Sequence, residues 1–190
     1  MRTITKDVFK FDELSEAAKD EARAWYREGS DFDADAVIED FKTIIGLMGF
    51  YDINVMYSGF SSQGDGACFT GRYAYAKGAT QAVKEYAPLD AELLRIAKSL
   101  QAAQRAAFYK LNARISHSGN YYHENSINVE TCDERDEYRA CYDLTDEVRH
   151  LSQWLYARLE AEYDYQNADS TVDENITCND YEFYADGSIA

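Results

Sequence analysis

The sequence predicts an α+β fold, a single domain over 1–190 in which an antiparallel sheet of hairpins packs against several helices. Three observations carry that prediction. Apolar residues recur at helical spacing in several segments, as in Val37, Phe41, Ile44, Ile45 and Met48. Two pairs of strand-like runs flank glycine-bearing connections and read as hairpins. The elements also come in blocks (strand, helices, hairpin, helices, hairpin, helices) instead of the strict strand–helix alternation of a parallel sheet. A chain of 190 residues is long enough to bury one sizeable core.

The elements follow in order. Residues 3–11, with Ile4, Val8 and Phe9, read as an opening strand. Asp12 or Ser15 caps a helix to about Glu28, with Leu14, Ala18, Ala22 and Trp25 on one face and Gly29 as its stop. A second helix covers 34–48 and ends at Gly49. Strands over 52–57 and 68–76 form a hairpin joined by 58–66, too long for a two-residue turn and therefore irregular. A short helix over 79–86 stops before Pro88, the only proline, because the residue before proline disfavours the α region. Asp90 then caps a long helix to about Lys110, buried through Leu93, Ala97, Leu100, Ala107 and Phe108. Residues 112–117 and 126–132 make a second hairpin around Ser118, Gly119 and Asn120. A helix over 145–165 follows, striped by Leu144, Val148, Leu151, Leu155 and Leu159. Ser170 with Asp173 reads as a capping box, and 181–184 as a last strand ending in an Asp186–Gly187 turn.

Charge is uneven along the chain. Net charge is −16, from 35 acidic and 19 basic residues. Residues 130–190 carry 17 Asp/Glu against four Arg, whereas 71–123 carry eight basic residues against three acidic ones. Affinity for nucleic acid rests on Lys and Arg neutralising phosphates, so the acidic part excludes direct nucleic-acid binding. Its field draws basic protein surfaces instead. Asp133, Glu134, Asp136, Glu137, Asp146 and Glu147 are the expected partner-facing carboxylates. No apolar run is long enough for a membrane span and no leader pattern opens the chain, which makes a cytoplasmic protein the expectation. Cys68, Cys132, Cys141 and Cys178 form no CxxC pair and read as free thiols.

Residues 57–71, YSGFSSQGDGACFTG, hold four glycines in fifteen residues, and glycine loses the most conformational freedom on folding. The segment is therefore the candidate binding loop, through Tyr57, Ser58, Phe60, Ser61, Ser62, Gln63 and Asp65. A phosphate-cradling loop requires lysine, Ser/Thr and a helix after its glycines. Here Ala67, Cys68 and a strand follow, and Asp65 puts a negative charge where phosphate would lie. No GxSxG elbow supports Ser58, Ser61 or Ser62 as a nucleophile. Cys68 is a small strand residue before it is a nucleophile. His117 and His123 bracket Tyr121 and Tyr122, and convergence with Asp65 would make an acid–base or metal-holding trio. No zinc spacing or HExxH motif fixes such a convergence. Tyr57, Tyr73, Tyr75, Tyr121 and Tyr122 offer rings to a base or, equally, to one sheet face. His150 reads as a helix-surface group.

Segments VFKFDELSEAAKDEARAWYRE, EDFKTIIGLMGF, YSGFSSQGDGACFTGRYAY, KEYAPLDAELLRIAKSLQ, ISHSGNYYH and NDYEFYADG resemble a family of phage and prophage proteins. Some of its members carry the label of an antitoxin of a toxin–antitoxin system. The resemblance implies a small cytoplasmic protein of a phage or mobile element and transfers no catalytic residue. The resulting expectation is a non-enzymatic protein without metal or cofactor. It binds a basic host or rival-element protein and neutralises a defence (anti-CRISPR or similar) or a toxin, its acidic surface mimicking nucleic acid. Two alternatives stand beside it, a small-ligand or nucleotide-binding module on loop 58–71 and a hydrolase built on His117, His123 and Asp65. Oligomeric state stays open.

Overall fold

The structure, a computed structural model, describes residues 6–131 and 138–190, side chains of 138–143 excepted. The fold class is α+β. In chain order the elements are β1 (Phe9–Lys10), α1 (Glu16–Gly29), α2 (Asp35–Met48), β2 (Phe50–Tyr57), β3 (Ala67–Tyr73), α3 (Ala79–Tyr86) and α4 (Ala91–Ala106). There follow β4 (Ala113–His117), β5 (Ile127–Thr131), α5 (Tyr138–Asn167), α6 (Asp169–Cys178) and β6 (Glu182–Phe183). Single 3-10 turns cover Phe11–Glu13 and Glu124–Ser126. The chain divides into two compact units, one made of Met1–Asp33 with Ala161–Ala190 and one of Ala34–Glu160. They are called the terminal and the central unit below.

The central unit holds a four-stranded antiparallel sheet in the order β2-β3-β4-β5. Both expected hairpins are present. An irregularity between Tyr51 and Asn54 breaks the β2–β3 register, with Asp52 at φ 55° and Gly71 opposite it. A Cβ on Gly71 would come within 2.8 Å of the Tyr51 carbonyl, so the kinked strand needs a glycine partner. Aromatic rings join the layers. Phe69 of β3 lies edge-on to Phe41 of α2 and Phe50 of β2, at centroid distances of 5.4 and 5.7 Å. Phe41 also stacks on Trp154 of α5. Leu144, Val148, Leu151, Leu155 and Leu159 are fully buried, as their spacing predicts. Asp90 caps α4, its Oδ1 accepting from Leu93 N, while its Oδ2 accepts from the Trp154 indole and from Arg158.

α4 ends at Ala106, four residues before the predicted end. The cause is Gln104, a buried amide that donates to Leu111 O at 2.7 Å and accepts from Leu111 N at 3.2 Å. These two bonds pull the chain back over the helix end. Phe108 and Tyr109 take the left-handed conformation, at φ 51° and 60°. Phe108, expected in the core, is 77% exposed.

In the terminal unit, β1 and β6 form a two-stranded antiparallel ribbon. Its core is Phe11, Leu14, Ala18, Ala22, Val172, Ile176 and Phe183, with Trp25 edge-on to Phe183 and Tyr181. Ser15 caps α1 by accepting from Ala18 N. The predicted first strand shrinks to β1, because Phe11 already turns into a 3-10 helix; its residues 3–5 lie outside the described residues. The capping box predicted at Ser170 is not formed, and α6 starts from Ala168 without a side-chain cap. Asp173 instead receives two bonds from Arg23 of α1, at 2.6 and 2.7 Å. An Arg–carboxylate fork is the stronger interaction of the two available to Asp173. Cys68 and Cys178 are free thiols, and Cys132 and the Cys141 side chain lie outside the described residues.

Candidate functional site

Loop 58–66 is built by its own side chains. Tyr57 pairs with Ala67, and beyond that rung Ser58 N donates to Gly66 O at 3.0 Å while Gly66 N donates to Ser58 Oγ. Asp65 Oδ2 accepts from Ser61 N at 2.9 Å and Ser62 N at 2.7 Å. The carboxylate therefore takes up the N–H groups that a bound anion would use. Ser61, Ser62 and Gln63 form the exposed rim, whereas Ser58 and Asp65 are half-buried.

The second hairpin connection, 118–126, packs on this loop. A Cβ on Gly66 would lie 2.7 Å from both Tyr122 O and His123 Cβ, so only glycine allows the approach. A Cβ on Gly64, at φ 131°, would meet the Tyr121 ring at 3.5 Å. His117 Nε2 bonds Tyr121 O at 2.9 Å, and its ring lies 5.2 Å from that of Tyr122. His123 Nδ1 accepts from Asn125 N at 3.1 Å inside the 3-10 turn. The two histidines share one connection, yet each closes its own turn, and Asp65 holds a third. Among the described residues no three His, Cys, Asp or Glu side chains gather as a metal-holding group. Cys68 is fully buried, and burial pushes its thiol pKa up, with Ser126 as a partially offsetting partner. A thiol kept neutral and out of solvent is a core residue and not a nucleophile.

Phe60 stacks between Tyr57 and Tyr156, at centroid distances of 6.3 and 5.8 Å. Tyr156 of α5 also donates its hydroxyl to Gly59 O at 3.3 Å. Burial, and then the Glu160 and Asp65 carboxylates, push its phenol pKa up, so Tyr156 stays a neutral donor. Sequence reasoning missed Tyr156; its place beside Leu155 in the buried stripe was the available signal.

The expected acidic face divides. Asp133, Glu134, Asp136 and Glu137 lie outside the described residues. Asp146 is exposed and pairs with Arg149 at 3.6 Å. Glu147 is not partner-facing: it is 5% exposed, and its two oxygens receive Arg95 at 3.0 Å each while His150 Nδ1 lies at 3.1 Å. The reason is legible in the spacing, since Leu144, Glu147, Val148 and Leu151 fall on one helix face. His150 lies on the helix surface, as expected, and joins this lock through Nδ1. Arg95 also binds Glu92 and holds that carboxyl below its usual pKa range.

No helix among the described residues is long and apolar enough to cross a membrane. No curated protein and no solved structure matches the chain. One family does match, over residues 34–169, a span that begins with the central unit and runs to the end of α5 and the first residue of α6. The chain belongs to that family, which is described as a domain of unknown function (DUF8835).

Proposed function

We propose that the protein is a non-enzymatic accessory protein of a phage or mobile element, which binds a basic host defence or toxin protein and neutralises it. The charge of the terminal unit carries this reading. That unit holds 17 acidic and six basic residues, and its segment 161–190 holds eight carboxylates and no basic residue. Asp164 and Glu174 on α5 and α6 are exposed and make no ion pair among the described residues. Such a surface steers cationic proteins to itself and repels phosphate backbones. The ligand-module and hydrolase readings draw less support, because Asp65, His117 and His123 each spend polar atoms on a local turn.

The test is capture by the tagged full-length chain from host cells at about 50 and about 500 mM salt, with the double variant Asp164→Asn, Glu174→Gln alongside. The expected result is a basic protein held at low salt, released at high salt and weakened by the variant, since screening shortens the reach of exposed charge. A partner indifferent to both salt and variant removes the electrostatic reading.

A further inference from the structure

Most described cations of this acidic chain are spent on its own carboxylates: Lys10, Lys19, Arg23, Arg27, Lys42, Arg95 and Arg158 all form ion pairs. Seven do not, among the described residues, and four of these are Lys77, Lys98, Arg105 and Lys110, although the chain has almost two acids for every base. These four occur together with aromatic rings on one side of the central unit. The Tyr75 ring, in the connection from β3 to α3, lies 4.8 Å from that of Tyr109, in the turn after α4. Thr80 of α3 donates to Gln101 of α4. On the α4 surface Lys98 and Arg105, three before and four after Gln101, flank it. Lys77 is two residues from Tyr75, Lys110 is next to Tyr109, and Tyr75 lines one cleft with Gln101 and Gln104, which brings the two groups of charges to the neighbourhood of the ring pair. Phe108, turned outward by the Gln104–Leu111 clamp, is a further exposed ring, next to Tyr109 in the chain.

We propose that this face binds single-stranded nucleic acid, the cations meeting phosphates and Phe108 with the Tyr109–Tyr75 pair stacking bases. Both halves of the observation favour that occupant. Unpaired cations ask for an anion, and solvent-facing rings offer a stacking platform that any base satisfies. An acidic protein would use the charges but has no special need of the rings. The net charge of the chain does not forbid it, because the segment 71–123 that carries the face holds eight basic residues against three acidic ones, and nearby charges dominate at physiological salt. The site is built from residues of the central unit and does not rest on the function proposed above.

The experiment is fluorescence anisotropy of the full-length chain with a labelled mixed-sequence 12-mer at about 50 mM salt, with the matching duplex and polyglutamate as competitors. Binding of the single strand, with the duplex a weaker competitor and polyglutamate weaker still, is the expected result. Four phosphate contacts set a log–log salt slope of about −3. The double variant Arg105→Glu/Lys110→Glu abolishes binding. Phe108→Gly lowers affinity about tenfold, one stacked base, without lowering the melting temperature, since glycine accepts the left-handed backbone. Absence of binding by a folded wild type overturns the proposal, as does binding that the double variant leaves intact. Polyglutamate competing as well as the 12-mer assigns the face to acidic proteins and overturns it too. An affinity unchanged in Phe108→Gly overturns the stacking platform.

Discussion

The terminal and central units solve the same problem, holding helices to strands, with different means. The central unit is a four-stranded sheet under aromatic and aliphatic side chains from α2 to α5, with Gln104 and Glu147 as buried polar locks and Asp90 as a half-buried one, each bridging separate parts of the unit. The terminal unit has one two-stranded ribbon, a smaller core and a net charge of −11, and its locks lie nearer the surface. Arg23 reaches Asp173, and Arg27 reaches Asp169 and the Asn167 carbonyl. The family match covers the central unit and takes in few residues of the terminal one. A core that is defined by packing suits a shared scaffold, whereas a charged exterior is the part that can be retuned to a partner without disturbing it.

Four measurements break or sharpen this contrast. Phe41→Ala empties the centre of the aromatic cluster and is expected to cost about 4 kcal/mol. Hydrogen exchange then shows loss of protection in β3 while α6 amides persist. If α6 loses protection equally, the two units unfold as one and the contrast is only geometric. Asp173→Ala is the counterpart in the terminal unit. It leaves Arg23, whose side chain is 13% exposed, without its fork, and about 2 kcal/mol of stability is lost in urea melts. Recovery in Asp173→Glu would mean that charge and not geometry holds α1 to α6.

Glycines give a third comparison. Gly66→Ala drives a Cβ into the Tyr122 carbonyl and should cost about 1–3 kcal/mol. Gly29→Ala, at the end of α1 with nothing within 4 Å, should be neutral or slightly stabilising. Equal melting temperatures for the two variants would show that the loops of the central unit do not pack as described. The smallest effect is in acid. Burial works against the Asp90 charge, but Leu93 N–H, the Trp154 indole and Arg158 together bring its pKa below the usual carboxylate value. Its native pKa is thus lower than its unfolded one. The stabilisation is complete above the unfolded value, about 3.9, and disappears as pH falls through the native pKa. Asp90→Asn should flatten the stability profile below pH about 4, which acid titration followed by Trp154 fluorescence checks. A variant profile as steep as that of the wild type would place the acid-sensitive group elsewhere.

Helix positions were legible because burial imprints a 3.6-residue period on the apolar side chains. α3 appears over the predicted residues, α2 within one residue of them, and the Leu144–Leu159 stripe of α5 is buried to the last member. Both hairpins and the irregular connection at 58–66 were readable for a similar reason, since alternation and glycine content are local signals. The site was less legible. Asp65 could be named, but which donors its carboxylate serves depends on the path of the loop. Tyr156 reaches Phe60 and Gly59 from almost a hundred residues away, and no local pattern announces such a pairing.

The sequence by itself determined the class of fold, the helical faces, the glycine loop and the bipolar charge. These follow from periodicity, backbone freedom and counting, all of which are properties of neighbouring residues. Only the tertiary structure decided that Arg95 and His150 close on Glu147, that Phe108 turns outward, that Gly66 must be glycine and that six of the eight cations of 71–123 make no ion pair among the described residues. The lock on Glu147 and the need for Gly66 depend on what a distant part of the chain brings within about 4 Å, and the turn at Phe108 on the Gln104–Leu111 clamp at the helix end. Hydrogen-bond geometry and steric exclusion act at that range whatever the separation in sequence.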